Sequence, residues 1–229
     1  MVSMEQKVIQ EANNYFLRNK DAFSGSKEAS KGTYIAKEFL KNYITAFPGK
    51  IDKLLEIGCN YGYNLNYLQR ELNIDCYGIE PSDKAIEYGK QMYTGGGHSK
   101  IHLKEGISDC LPYNKEEFDV VMIGFSLYVT PRVMLYDTIQ EINRVLKQGG
   151  FIILTDFDTP FKCRRVNIHN KEMYVYKENY ADLFLSMGYS LVEKRSYSHS
   201  GESFSPMIQE RISTQILYKE NFQDLYFDA

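Results

Sequence analysis

Residues 55–65 read LEIGCNYGYNL, an apolar run that breaks into a turn carrying Gly58 and Gly62 and resumes at helical spacing. The run DKLLEIG (52–58) reads as a buried strand, and YNLNYLQREL (63–72) after it as a helix. In doubly wound sheets ligands sit where such a turn leaves the carboxyl end of a parallel strand. What this turn can hold therefore decides both the fold and its chemistry.

Outward from the turn the alternation continues. DCYGIE (75–80) is a second strand, and PSDKAIEYGKQMY a helix that Pro81 enters and Ser82 caps. Gly95 to Gly97 form a flexible loop before a third strand, KIHLKEG. FDVVMIGF (118–125) is a fourth strand. Thr130-Pro131 then opens a helix through Leu135, Ile139, Ile142 and Leu146, which Gly149-Gly150 end before a fifth strand, FIILTDF. This order predicts an α/β fold, a doubly wound, mostly parallel sheet with helices on both faces.

Upstream, Met4, Val8, Ala12, Tyr15, Phe16 and Phe23 predict a helix over 4–23. A second helix runs through Ile35, Phe39, Leu40, Tyr43 and Phe47 to Pro48-Gly49. Downstream, YKENYADLFLSMG reads as one more helix, and YSLVEKRSYSH and ERISTQILYKE as two alternating strands. Joined without a helix, they should pair antiparallel at one edge of the sheet. The expectation is one domain over residues 1–229. It has a helical cap over 1–48, a core over 51–229, and an insertion-like substrate segment over 157–180.

Hydrophobic residues make up 43% and charged residues 25% of the 229, as in soluble globular proteins. The net charge of −3, with no long Lys/Arg run, argues against a nucleic-acid partner. Cys59, Cys76, Cys110 and Cys163 are widely spaced without a CxxC pair, so neither a metal site nor a disulfide framework is expected. Buried free thiols suit a reducing compartment. The first residues are amphipathic and charged throughout, unlike a signal peptide, and no apolar stretch reaches the roughly eighteen residues that span a bilayer. A cytoplasmic monomer or homodimer without a membrane partner is expected.

Two cofactor classes compete for the turn. A dinucleotide fingerprint, GxGxxG, would need glycines at positions 60 and 63, which hold Asn60 and Tyr63. That counts against an NAD-dependent oxidoreductase. An acid followed by GxGxG fits better, from Glu56 through Gly58 to Gly62, with Asn60 in place of the middle glycine. Asn is the non-glycine residue that best tolerates positive φ.

This pattern resembles motif I of the class I S-adenosylmethionine (SAM) methyltransferases. Further marks resemble the same family in the same order. Glu80 ends the second strand 22 residues after Gly58, where an acid accepts hydrogen bonds from ribose hydroxyls. EGISDCLPY (105–113) resembles the segment after the third strand, FDVVMIGFSLYV the fourth strand and its exit, and LKQGGFIILTDF the "LKPGG" turn and fifth strand.

The resemblance covers residues 54–156. It implies a seven-stranded sheet in the order 3-2-1-4-5-7-6, strand seven antiparallel, and SAM as cofactor. By the same resemblance Glu56 would help hold the SAM amino group. Gly58, Cys59, Asn60 and Gly62 would shape the loop, and Glu80, with Pro81 and Ser82, would face the ribose. Asp109, Cys110 and Leu111 would read adenine, while Phe125 and Ser126 would border the methionine side.

The activity so implied is methyl transfer to a small polar acceptor. CNYGYNLNYL resembles "CNxGxNLxxL" loops of methyltransferases linked to bacterial surface-glycan and nonulosonic-acid pathways, which points to a sugar or surface-glycan precursor. FSLY stands where NPPY-type sequences grip a flipped base or glutamine amide, against DNA and release-factor methylation.

Candidate bases near the strand exits are Tyr128, Asp156, Asp158, His169 and His199, with His169 preferred for its pKa range and its place in the insertion. Arg164 and Arg165 precede it and suit a phosphate or carboxylate on the acceptor. Tyr15 and Tyr34, from the N-terminal helices, and His199 would border the acceptor. The alternative is a SAM-binding regulatory or scaffolding subunit without transferase activity, against which Glu80 and Asp109 stand intact.

Overall fold

The computed structural model describes residues 3–23, 29–93, 100–201 and 203–221. The expected loop at Gly95 to Gly97 lies outside them.

The parallel core is built from β1 (Lys53–Ile57), β2 (Asp75–Glu80), β3 (Ile101–Glu105), β4 (Phe118–Gly124) and β5 (Leu146–Phe157). Between them run α3 (Tyr63–Leu72), α4 (Asp83–Tyr93) and α5 (Arg132–Val145), preceded by α1 (Met4–Phe23) and α2 (Lys31–Ala46). After β5 come β6 (Cys163–Val166), β7 (Tyr174–Lys177), α6 (Ala181–Leu185), β8 (Ser190–Ser198) and β9 (Arg211–Tyr218).

The main sheet has seven strands in the order β3-β2-β1-β4-β5-β9-β8, and β9 pairs antiparallel with both neighbours. This is the expected 3-2-1-4-5-7-6 arrangement, with the last two numbers raised by an inserted hairpin, β6–β7, which stands apart as a two-stranded sheet.

Alternation along each central strand feeds two hydrophobic layers. Val120 and Met122 of β4 join Leu54, Phe151 and Ile153 under α2 and α3. Val121 and Ile123 join Leu55, Ile152 and Leu154 under α5 and α6. Both faces of β4 are covered, as a continuous apolar run requires. Helix α2 is capped by Ser30, whose Oγ accepts the Thr33 N–H at 3.2 Å. It also lies so close to the sheet that a Cβ on Gly32 would stand 2.2 Å from Thr155 Oγ1.

Two elements differ from the sequence expectation. The helix expected over YKENYADLFLSMG shrinks to Ala181–Leu185, because Tyr176 and Lys177 pair with Arg164 and Cys163 in the hairpin. Leu146 begins β5 rather than ending α5. Its backbone is already extended (φ −80°, ψ 130°), and it pairs with Phe118. No described helix is long and apolar enough to cross a membrane.

Candidate functional site

The turn after β1 is built from left-handed backbone at alternate residues: Gly58 (φ 71°), Asn60 (φ 51°) and Gly62 (φ 87°). Asn60 adopts the conformation of the glycine it replaces, and its Oδ1 accepts the Tyr61 N–H at 2.9 Å, a bond glycine cannot offer. At Gly58 an added Cβ would stand 2.1 Å from Ser126 Oγ, so only glycine fits there.

Every backbone N–H from Gly58 to Gly62 is engaged inside the protein. Gly58 and Cys59 donate to Ile79 O at 2.9 and 3.2 Å, and Gly62 to Cys59 O at 2.9 Å. Asn60 N–H donates to Glu80 Oε2 at 3.0 Å. A pyrophosphate held by such a turn needs free N–H donors, and these five residues offer none.

What the turn presents instead is carboxylate. Glu56 is buried, with 3% of its surface exposed. Its Oε1 accepts from Asn64 Nδ2 at 2.8 Å, while Asn64 Oδ1 accepts the Ser30 N–H at 3.0 Å. Oε2 of Glu56 is buried with no hydrogen-bond partner among the described residues. Burial pushes its pKa up to about 8, against the Asn64 bond and with the help of the Glu80 charge. Glu80 accepts from the N–H groups of Asn60 and Ser82, at 3.0 and 3.1 Å, and burial pushes it up to about 7. A buried acid with a free oxygen is costly unless a donor or cation meets it. The amino group expected beside Glu56 is such a partner, so the residues present fit SAM.

Both acids line a cavity of about 610 Å³ at the carboxyl ends of the strands. Gly58, Cys59, Asn60, Pro81, Phe125 and Ser126, expected from the resemblance to meet the cofactor, line it too. Helix α1 forms the opposite wall through Val8, Glu11, Ala12, Tyr15, Arg18 and Asn19. Tyr128, Arg165, His169 and His199 close the end beside the inserted hairpin, with Asn167, Met173 and Val175. The His199 ring stacks over Phe157 at 6.3 Å and 7° and meets Phe125 edge-on. Burial first, then the charges of Tyr15 and Asp156, push the Tyr128 phenol up to about 12, so near neutral pH it is a proton donor. Burial and the Glu80 charge likewise raise Tyr15.

Other predicted residues are not brought to the cavity. Asp156 is buried and its carboxylate closes on the N–H groups of Phe157 and Tyr128, at 2.8 and 3.3 Å. Asp158 is held by Lys194 and Ser196, at 2.8 and 2.7 Å. Tyr34 packs edge-on against Tyr67 at 5.0 Å, and Arg164 lies over Tyr174 at 4.7 Å. Gly62 packs on Leu103.

Gly106, Ile107 and Ser108 form the wall after β3, with Asp109, Cys110 and Leu111 beyond it. Asp109 is raised by partial burial and the nearby acids Asp137, Glu5 and Glu141. Leu111 N–H already donates to Glu141 at 2.7 Å, and Cys110 is exposed.

Ser82 is a cap rather than a wall of the cavity. Its Oγ accepts the Ala85 N–H at 3.1 Å and donates to Asn13 Oδ1 of α1 at 2.6 Å. Ser82→Ala is expected to lower unfolding stability by about 1–2 kcal/mol. A urea midpoint equal to that of the unsubstituted protein would contradict this.

Sequence reasoning missed Asn64, Ser30 and Glu11. Asn64 stood in the opening stretch, two residues beyond Gly62. Glu11 pairs with Arg18 at 2.8 Å, and its Oε2 is buried with no hydrogen-bond partner among the described residues.

Residues 55–154 match the family model described as "Methyltransferase domain". The fold is that of the SAM-dependent methyltransferases. Among curated relatives, the demethylmenaquinone methyltransferase of Staphylococcus saprophyticus is 39% identical over 83 residues, covering 36% of this chain and 34% of that protein. The fatty-acid O-methyltransferase of Mycolicibacterium smegmatis is 29% identical over 105 residues, covering 45% and 36%. The chain thus aligns with about a third of the length of the curated relatives it matches.

A solved structure of Burkholderia thailandensis 1,6-didemethyltoxoflavin-N1-methyltransferase has 1,6-didemethyltoxoflavin and S-adenosylhomocysteine (SAH) bound. It superimposes with a TM-score of 0.69 at 10% identity, covering 96% of this chain and 92% of that one. The matched segment is thus similar to a methyltransferase domain, and the fold is one that SAM-dependent methyltransferases share.

Proposed function

We propose that the protein is an enzyme that uses SAM to methylate a small-molecule acceptor. The observation that carries this reading is the buried, unpartnered Oε2 of Glu56 on the turn that also presents Glu80. Glu56, oriented by Asn64, would receive the amino group. Glu80 would receive ribose hydroxyls while holding the Asn60 and Ser82 N–H groups in place. The main chain of Gly106 to Ser108 would flank the adenine, with Asp109 just beyond. Bound there, SAM supplies a methyl group made electrophilic by a sulfonium.

The protein contributes alignment and exclusion of water, which together account for much of the catalysis of an in-line displacement. Helix α1 and the hairpin enclose the acceptor end. Tyr128, keeping its proton, would orient the acceptor by donation, and His169 is the proposed proton acceptor. The resemblance of the opening stretch to glycan-associated loops extends the proposal to a sugar or surface-glycan precursor. The names of the relatives cover dissimilar acceptors and do not narrow it.

Isothermal calorimetry on the purified chain tests the reading. Binding of SAM and SAH is expected, and binding of NAD alone would overturn it. A methyl-transfer screen against nucleotide-sugars and small acids separates the enzyme from a SAM-binding scaffold. Product formation is expected, and SAM binding without transfer to any acceptor would favour the scaffold.

A further inference from the structure

The inserted hairpin decides which of two neighbouring arginines faces the cavity. Its register pairs Cys163 with Lys177 and Arg165 with Val175, which places Arg165, Val175 and Lys177 on one face. Arg164, Val166, Tyr174 and Tyr176 occupy the other. Val175 and Lys177 are buried, whereas Val166 and Tyr174 are exposed, so the first face is the inner one; Arg165 is itself exposed and lines the cavity from its open end.

Two cations therefore stand diagonally across adjacent strands on that face, an arrangement that is unfavourable unless a counter-charge meets it. Lys177 donates to Gln209 O at 3.1 Å and lies 3.7 Å over the Phe157 ring. Burial lowers its pKa, and the charge of Arg165 lowers it further. The Arg165 side chain makes no hydrogen bond or ion pair among the described residues, although it lines the cavity.

The acids on the surrounding elements are engaged elsewhere or held protonated. Glu11, across the cavity, is paired with Arg18. Glu178 is paired with Arg132 and Lys162. Asp156 is held largely protonated near neutral pH, burial pushing it up to about 8. Glu210 faces Lys177. The imidazoles of His169 and His199 join Arg165 around the same end, against apolar surface from Phe125, Met173 and Val175.

We propose that this end binds an anionic group of the acceptor, a carboxylate or a phosphate ester, through Arg165, with the rest of the acceptor on the apolar wall. The proposal rests on the methyltransferase reading and names the substrate class of that site. A guanidinium fork at the open end of a largely apolar cavity favours a planar carboxylate or a phosphate over a neutral hydroxyl compound.

Calorimetry on the SAH-loaded protein tests it with matched pairs: benzoate against benzamide, and phenyl phosphate against phenol. At least one anion is expected to bind ten times or more tightly than its neutral partner, and the responding pair tells carboxylate from phosphate. Arg165→Met should abolish that preference while SAH affinity stays within twofold. Arg165→Lys should keep part of it, and Arg164→Met all of it.

Equal binding within both pairs, or a preference that survives Arg165→Met, overturns the proposal. The pairs are also measured without SAH. Failure of SAH to bind then removes the methyltransferase reading, and the anion site is judged on its own.

Discussion

Glu80→Ala is expected to weaken SAM binding roughly tenfold, about 1.4 kcal/mol, and to destabilise the free protein as well. The carboxylate has two tasks. One, in the proposed site, is to meet the cofactor. The other is to accept the N–H groups of Asn60 and Ser82, which fixes the glycine turn relative to the start of α4. Removing it leaves two donors without their acceptor in a buried setting, at about 1–3 kcal/mol each where no water replaces it. Calorimetry and urea unfolding separate the two tasks. Loss of stability with unchanged SAM affinity would reduce Glu80 to a brace for the turn and remove it from the cofactor site.

Raising the pH from 5 to 8 is expected to destabilise the protein in the absence of ligand. Three buried acids lie above their ordinary values for the same reason, burial: Glu56 at about 8, Asp156 at about 8 and Glu80 at about 7. In the unfolded chain they titrate near 4.5, 3.8 and 4.5. Between those limits the folded state binds more protons than the unfolded one, so stability falls as pH rises. It is greatest below the unfolded values and is lost as each group passes its folded pKa. Each pH unit in the window is worth at most about 1.4 kcal/mol per group.

Acids whose pKa is lowered by ion pairs, such as Glu141 and Asp158, act below the window. Glu56→Gln keeps a partner for Asn64 and removes one titration, so its stability should fall less steeply across the window. A flat or rising profile for the unsubstituted protein would contradict the assignment. A cationic ligand reverses the balance locally, since it favours the ionised acids. SAM affinity should therefore rise over the same window, more steeply than that of SAH.

The parallel core was legible because β4 and β5 carry continuous apolar runs and the turns between strands and helices are marked by a glycine, a capping residue or a proline. Asn60 was legible as a glycine substitute because so few residues accept its backbone conformation. The hairpin was not, since CRRV and YVYK are short and the second runs into a stretch with helical character. Arg164 and Arg165 are indistinguishable in sequence; the strand period sends one inward and the other out, and only the register says which.

Asp156 ends a strand where a base is expected, yet its carboxylate is closed on two main-chain donors. Along α1 the spacing of Val8, Ala12 and Tyr15 marks a face turned from solvent. Periodicity cannot tell a core from a ligand cavity, and here that face lines the cavity.

The closed bonding of the first turn bears on whether this scaffold can be re-engineered for another cofactor. Glycines at positions 60 and 63 would complete the dinucleotide text yet release one donor, the Tyr61 N–H, leaving the other four bound to Ile79, Glu80 and Cys59. Phosphate would still meet a carboxylate where it needs amides. Cofactor preference in this chain is thus distributed over the two strand ends that share these bonds, β1 and β2, and a single exchange at the turn cannot transfer it.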